Sequence, residues 1–427
     1  MNVYQKTQER LKFLFDEFDN IYVSFSGGKD SGVLLNLCID YIRNNNLNRK
    51  IGVFHLDYEA QYEMTTNYVN ETLNENLDII EIYRCCVPFK VTTCTSMHQS
   101  FWRPWEQDKK DLWVSGKPKT CYESKHFKFF NTDMWDYEFQ EKFSKWYHEL
   151  KGAKKTACLV GIRTQESLNR WRAIHSDRNY KKYKDQNFTK EMYSNVYNAY
   201  PIYDWKTTDI WTANFKFEWT YNKLYDIFYQ AGLTIDQMRV ASPFISTAQD
   251  SLKLYKVIEP HIWGKLIGRV NGVNFTGLYG GTTAMGWRSI KLPKGHTWKS
   301  YMEFLLSTLP KQTSENYKSK LETSQRFWRE KGGCLSGEVI EKLKNNNVKI
   351  EVSTSSNYNT NKLPVRMEYL DDIDITEFNQ IPTFKRMCVC IMKNDHLCKF
   401  MGFSLTKKEN EIRKQAETKF KNVSNGK

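Results

Sequence analysis

The run Ser26-Gly27-Gly28-Lys29-Asp30-Ser31 holds residue types that together can bind a phosphorylated ligand. Two adjacent glycines let the main chain bend so that several N–H groups point into one concavity. A helix starting just after them adds unpaired donors and a partial positive charge. Lys29 would set a compact ammonium against a pyrophosphate, the Ser26 and Ser31 hydroxyls could donate to its oxygens, and Asp30 could hold a Mg²⁺ ion or orient the turn. Ser24, just before, joins the same candidate set. An ordinary exposed turn capped by Ser or Asp would account for the glycines and a cap, but not for Lys29. The Walker pattern Gly-x4-Gly-Lys-Ser/Thr and the fingerprint Gly-x-Gly-x-x-Gly are both absent from the chain.

The elements on either side must aim this turn. Ile21-Tyr22-Val23-Ser24-Phe25 reads as a short buried strand, and Val33, Leu34, Leu37 and Ile42 after the turn fall at helical spacing. Leu11, Leu14, Phe15 and Phe18 predict an amphipathic helix before it. Further strands are expected at Ile51 to Leu56, Asp78 to Tyr83, Ala157 to Gly161 and Ala199 to Tyr203. Strands alternating with helices predict an α/β fold, a parallel sheet covered by helices on both faces, which binds ligands at the carboxyl ends of its strands. Gly161 and Arg163 would then lie at that edge near the glycine turn, where a guanidinium can grip phosphate or sulfate, oriented by Glu166 and joined by Arg170. A surface ion pair of Arg163 or Arg170 with Glu166 is the plainer alternative. Asp57, closing the second strand, could be a helix cap. Asp204 and Trp205 read as an N-cap and a core aromatic.

The chain has 427 residues, enough for two or three domains. They are expected at 1–215, the nucleotide-binding part with an insertion at about 86–155 over the sheet edge; 216–310, a helical extension; and 311–427, a helical, cysteine-containing region. The polar stretch 344–362 reads as a mobile loop. With 40% hydrophobic and 26% charged residues the composition is globular. The net charge of +14 fits an anionic partner, nucleic acid among the candidates. No apolar run approaches a membrane span of about 18 residues, and the first residues lack the apolar core of a secretory signal, so a cytoplasmic protein without membrane contact is expected. The ten cysteines are expected to be free thiols. Cys388, Cys390, His396 and Cys398 are close together but depart from the usual structural zinc spacing, which favours packing over zinc.

Ser26 to Ser31 resembles the PP-loop signature of ATP pyrophosphatases and of phosphoadenylyl-sulfate (PAPS) reductases. Val160-Gly161-Ile162-Arg163-Thr164-Gln165-Glu166-Ser167 is similar to the reductases' Gly-x-Arg-x-x-Glu-Ser segment, and Tyr200-Pro201-Ile202-Tyr203-Asp204-Trp205 with Thr208-Asp209-Ile210-Trp211 looks like their Pro-Leu-x-Asp-Trp…Asp-Val-Trp segment. The three follow the family's order over about the first half of the chain. This resemblance implies binding of ATP or a PAPS-like adenine nucleotide with Mg²⁺, adenosine contacts at Asp57, and cleavage or transfer at the α-phosphate. Two departures matter. The reductases' Glu-Cys-Gly-Leu/Ile-His segment has no counterpart, so PAPS reduction or sulfur transfer would need a thiol from Cys85, Cys86 or a partner. Cys85-Cys86 also lacks the later Cys-x-x-Cys of iron-sulfur relatives, which argues against a cluster. The second half, through Arg386-Met387-Cys388-Val389-Cys390-Ile391-Met392-Lys393-Asn394-Asp395-His396-Leu397-Cys398 and the segments Leu254-Tyr255-Lys256 to Arg269-Val270-Asn271, resembles long family members such as the prophage-associated immunoglobulin-binding regulator A proteins. That implies a phage-defence or regulatory setting and a partner with a ParB and sulfiredoxin-like fold. A non-catalytic, nucleotide-dependent regulator of DNA or of a partner protein is the remaining alternative.

Overall fold

A computed structural model describes residues 2–166, 170–171, 174, 181–245, 248–279, 292–353, 362–375 and 380–403. Ser167, the glycine-rich run at 280–283 and the charged terminal helix expected after 403 lie outside the described residues. Two compact units result, one of residues 1–93 and 101–277, the other of 94–100 and 278–427. The helices after residue 215 thus belong with the sheet as far as Gly277, because Leu224, Tyr225, Phe228, Leu252 and Tyr255 share one apolar core with Tyr22 and Phe54 of the strands.

The first unit is built on a sheet of β1 (Asn20–Ser24), β2 (Ile51–Leu56), β3 (Ile80–Cys85), β4 (Thr156–Val160), β5 (Thr189–Tyr193) and β6 (Val196–Ala199). Their order is β3-β2-β1-β4-β6-β5. All neighbours run parallel except the antiparallel edge pair β5–β6. Every residue of β2, and all but the last of β1, is buried, as expected of parallel strands covered on both faces. On one face pack α1 (Val3–Glu17) and α2 (Lys29–Asn44) through Leu11, Leu14, Val33, Leu34 and Leu37. On the other, α4 (Asp136–Lys151) sets Phe143 and Tyr147 against Tyr22, Phe54 and Tyr83, while α3 (Glu63–Asn74) follows β2.

The strand expected at 199–203 is displaced. β6 ends at Ala199 and residues 200–204 turn, consistent with Pro201, which has no N–H to give a ladder. The strand partner it gains is β5, reached through a tight hairpin in which Asn195 takes φ 64°, a left-handed conformation such turns favour. Trp205 is the core aromatic expected, donating from Nε1 to Thr7 Oγ1 at 2.9 Å. Asp204 is not an N-cap: it accepts both ends of the Arg10 guanidinium at 2.7 and 2.8 Å, and α5 (Thr207–Lys216) starts after Lys206, whose N–H donates to Asp209.

The insertion is fastened by one buried carboxylate. Glu59, left-handed at φ 64° and 1% exposed, accepts from the main-chain N–H groups of Trp105 (2.6 Å) and Val114 (3.1 Å). It also accepts from Nε and Nη2 of Arg269 at 2.8 and 3.1 Å. Arg269 sits on the last turn of α8 (Pro260–Arg269), which follows α6 (Leu224–Gln230) and α7 (Gln249–Ile258).

In the second unit, α9 (Trp298–Thr308), α10 (Lys311–Glu330) and α12 (Phe384–Met392) enclose a small core, beside which β7 (Gly333–Leu335), β8 (Ile350–Val352) and β9 (Leu363–Met367) form an antiparallel sheet with α11 (Gly337–Asn345). The stretch expected to be a mobile loop therefore contains β8. Val348, Ile350 and Val352 alternate with Lys349 and Glu351, so one face packs while the other stays wet. Residues 354–361 of that stretch lie outside the described residues.

Removing the Glu59 carboxylate would leave the buried Arg269 guanidinium with only Glu106, 3.7 Å away, and the main-chain oxygen of Arg103. Glu59→Ala is expected to lower the unfolding free energy by about 3–5 kcal/mol, read as a fall in the urea midpoint. An unchanged midpoint would show that the pair holds nothing together.

Candidate functional site

β1 delivers the glycine turn and α2 takes the chain away from it. Gly27 has φ 75°, and a Cβ there would lie 2.7 Å from Val69 Cγ2, so both the conformation and the space exclude a side chain. Gly28 is the N-cap of α2 and has no side chain to cap it; the N–H of Lys29 is taken up by the Tyr225 hydroxyl at 3.2 Å, and no N-cap side chain covers the next N–H groups of the helix. Ser31 Oγ donates to Gly28 O at 3.1 Å, shares a 3.0 Å hydrogen bond with Ser26 Oγ and accepts from Ser26 N at 3.2 Å. The two serines predicted to contact phosphate therefore brace each other across the loop. Ser24 ends β1 half-buried, opposite Phe54 and Val160.

Lys29 is buried, with Nζ 3.0 Å from Asp30 Oδ2 and 4.0 Å from Glu166 Oε1. Burial draws its ammonium below the ordinary lysine range, while Asp30 pulls the other way. Gly161, at the end of β4, closes in on the start of α2: a Cβ there would meet the main-chain atoms of Asp30 and Ser31 at 3.0 Å. Two residues on, Arg163 is 1% exposed and donates from Nε to Asp30 Oδ1 at 2.6 Å, from Nη1 to Gln165 Oε1 and Thr207 Oγ1, and from Nη2 to Glu166 Oε1 at 3.2 Å. Arg170 pairs with Glu166, and its guanidinium too is drawn down by burial. Lys29, Asp30, Gly161, Arg163, Glu166 and Arg170, named separately from the sequence, form one cluster.

Asp57 departs from expectation. Its Oδ2 is paired with Arg84 at 2.7 Å and its Oδ1 accepts from Glu59 N at 2.9 Å, so it caps a turn rather than the next helix, whose N-cap is Tyr62. Asp30 is likewise a poor fit for a protein-held Mg²⁺, because its two oxygens face Lys29 and Arg163. Among the described residues, no group of three His, Cys, Asp or Glu side chains is arranged to hold a metal ion. Cys388 and Cys390 are buried on α12, their thiols 3.6 Å from Trp298 O and 3.8 Å from Asp395 Oδ2, Cys398 is buried nearby, and His396 Nε2 lies 3.1 Å from Ser96 O.

Sequence reading missed three contributors to the turn. The Tyr225 hydroxyl accepts from Lys29 N at 3.2 Å, and its ring lies 5.6 Å from Lys29 Nζ. Asn222 Nδ2 donates to Gly27 O at 3.1 Å and to Thr65 Oγ1. Arg239 adds its positive charge beside Lys29 and Arg170. All come from well over a hundred residues downstream, with no local pattern to announce them.

Residues 20–231 match the family model described as a phosphoadenosine phosphosulfate reductase domain, and residues 232–412 match one described as a domain of unknown function, DUF3440. The chain is 31% identical over 415 residues to the uncharacterized protein YbdN of Escherichia coli (strain K12), an alignment covering 96% of this chain and 92% of that one. The chain belongs to the phosphoadenosine phosphosulfate reductase family. Among solved structures, it is similar at 16% identity and a TM-score of 0.30 to PAPS reductase from Candida auris, over 52% of this chain and 84% of that one. FMN adenylyltransferase from Candida glabrata gives 16% identity and a TM-score of 0.31 over 52% of this chain and 59% of that one. The U34-tRNA thiolase NcsA from Methanococcus maripaludis gives 11% and 0.31 over 64% and 79%.

Three cysteines lie near the end of β3. Cys85 and Cys86, at and just beyond the end of β3, are buried, and burial pushes the Cys85 thiol up. Cys121 is half-buried beside Cys86. The Cys86 thiol donates to it and Lys117 adds a positive charge, which together bring Cys121 down to about 7, while that same hydrogen bond raises Cys86. Iodoacetamide is expected to alkylate Cys121 in the native protein before Cys85 or Cys86, with a rate that rises through a midpoint near pH 7, read by peptide mass spectrometry. A midpoint at the ordinary thiol value of about 8.5 would mean that the Cys86 contact does not form.

Proposed function

We propose that this chain binds ATP or a related adenine nucleotide with its phosphates on the turn at 26–31, and that it acts at the α-phosphate, transferring the nucleotidyl group to an acceptor with release of pyrophosphate. The observation that carries this reading is the start of α2: a helix N-terminus whose N-cap is a glycine without a capping side chain, next to a left-handed glycine and a buried lysine. Such a terminus is a ready site for a polyphosphate. Membership of the reductase family supports an adenine nucleotide as the ligand class.

In this reading Lys29 and Arg163 lie where negative charge develops on the α-phosphate and the leaving pyrophosphate. Asp30 and Glu166 hold both cations in place beforehand, so little reorganisation accompanies the reaction. Mg²⁺ is expected as part of a Mg-nucleotide substrate rather than as a ligand of Asp30. The net charge of +14 favours nucleic acid, or a protein acting on it, as the acceptor or its carrier.

A second reading, reduction of PAPS or sulfur transfer, has the Cys86–Cys121 pair in its favour. Incubation with labelled Mg-ATP, and separately with PAPS and a dithiol, distinguishes them: pyrophosphate release or a labelled acceptor supports the first, sulfite the second, and nucleotide binding without turnover a regulatory protein. Lys29→Ala is expected to weaken nucleotide binding tenfold or more, in line with about 1.5–3 kcal/mol for a hydrogen bond to a charged group. Equal binding by wild type and Lys29→Ala would place the ligand elsewhere.

A further inference from the structure

Four cationic side chains gather at the glycine turn, and three of them are held by acids: Lys29 by Asp30, Arg163 by Asp30 and Glu166, and Arg170 by Glu166. Arg239 differs. Its Nε is buried without a hydrogen-bond partner, and among the described residues no carboxylate pairs with it. The chain bearing it lies directly over the turn, since a Cβ built on Gly28 would stand 3.6 Å from Val240 Cγ2 and 3.4 Å from the Tyr225 hydroxyl. The positive charge of Arg239 helps depress Lys29 and Arg170. Farther along the same segment, Ser242 Oγ and Gln249 Nε2 are also buried without partners.

Arg239 is half-buried, and a guanidinium N–H that loses water without gaining an acceptor is destabilising, a penalty to which like charges around it add. An oxyanion seated on the turn removes both. Arg239 lies past residue 231, where the match to the reductase domain ends, yet within the same compact unit as the turn.

We infer that Arg239 is an anion-binding residue of this site, through which the region matching DUF3440 lends the reductase-like domain an additional grip on the ligand's phosphate or sulfate oxygens. This rests on the reading of the turn as a nucleotide-phosphate site and names one further residue that holds the ligand. The two acids, Asp30 and Glu166, leave a net excess of two positive charges among these six side chains. The site therefore favours ligands with several negative charges over a monophosphate.

The test compares wild type, Arg239→Gln and Arg239→Lys by calorimetry against inorganic pyrophosphate, ATP, AMP and PAPS, with melting temperatures taken with and without pyrophosphate. Arg239→Gln is expected to weaken pyrophosphate and ATP at least tenfold and AMP less. Arg239→Lys should recover part of the loss, and ATP against PAPS shows whether a phosphate chain or a sulfate is the group gripped. Without ligand, Arg239→Gln should melt no lower than wild type, because it removes a buried N–H that has no acceptor and one of four clustered positive charges, whereas a structural arginine would give a lower melting temperature. Wild-type ATP binding that Arg239→Gln leaves intact would overturn the inference and spare the nucleotide reading. Arg239-dependent binding of pyrophosphate with no binding of ATP or PAPS would do the reverse. If wild type binds none of the four, both fall.

Discussion

The closeness of two main-chain segments governs the site. Gly161, as β4 ends, approaches the Asp30–Ser31 peptide closely enough that a Cβ would come within 3.0 Å. β1 has β2 on one side and β4 on the other. Chain connections leave the two strands in opposite directions, opening the crevice where doubly wound sheets take up ligands. A larger residue at 161 would push the arm carrying Arg163 off the start of α2. The Arg163–Asp30 contact at 2.6 Å then locks what the glycine allows.

Charge explains why so polar a place tolerates burial. Arg163 and Lys29 are almost fully withdrawn from water, and lone ions there would be strongly disfavoured. Asp30 and Glu166 turn them into a network whose members hold one another in register. Tyr225 contributes a neutral device, accepting a main-chain N–H of the turn while its ring faces the ammonium. The result is a cluster of side chains with an excess of positive charge and little freedom left to them.

Much of this was legible in the residue order, because local rules and local geometry agree along β1, the turn and α2. A β-rich run, two glycines and a 3.6-residue apolar period each point to the same strand-turn-helix, and Arg163 follows from its place just past a buried strand. The misreadings have physical causes. Asp57 closes the second strand as a helix cap would, but the next helix is capped by Tyr62 and a strand neighbour supplies Arg84, a partner 27 residues away that no spacing rule reports. The 344–362 stretch looked unstructured on composition, yet the short alternation at Val348 to Val352 was enough for a strand once β9 offered a ladder. The antiparallel edge was missed because its signal is a turn around Asn195 and not a hydrophobic run. Tyr225, Asn222 and Arg239 were invisible in principle: their roles exist only after the chain has come back to its own beginning.

The Glu59–Arg269 pair also bears on how such chains could be recombined. Arg269 lies in the region matching DUF3440 and Glu59 in the reductase-like region, though both belong to one compact unit. A shuffling event that joined residues 20–231 to a different tail would carry away the glycine turn intact but strand a buried carboxylate whose counterion had been left behind. Exchange at that junction is therefore open only to tails that bring their own cation to the same spot.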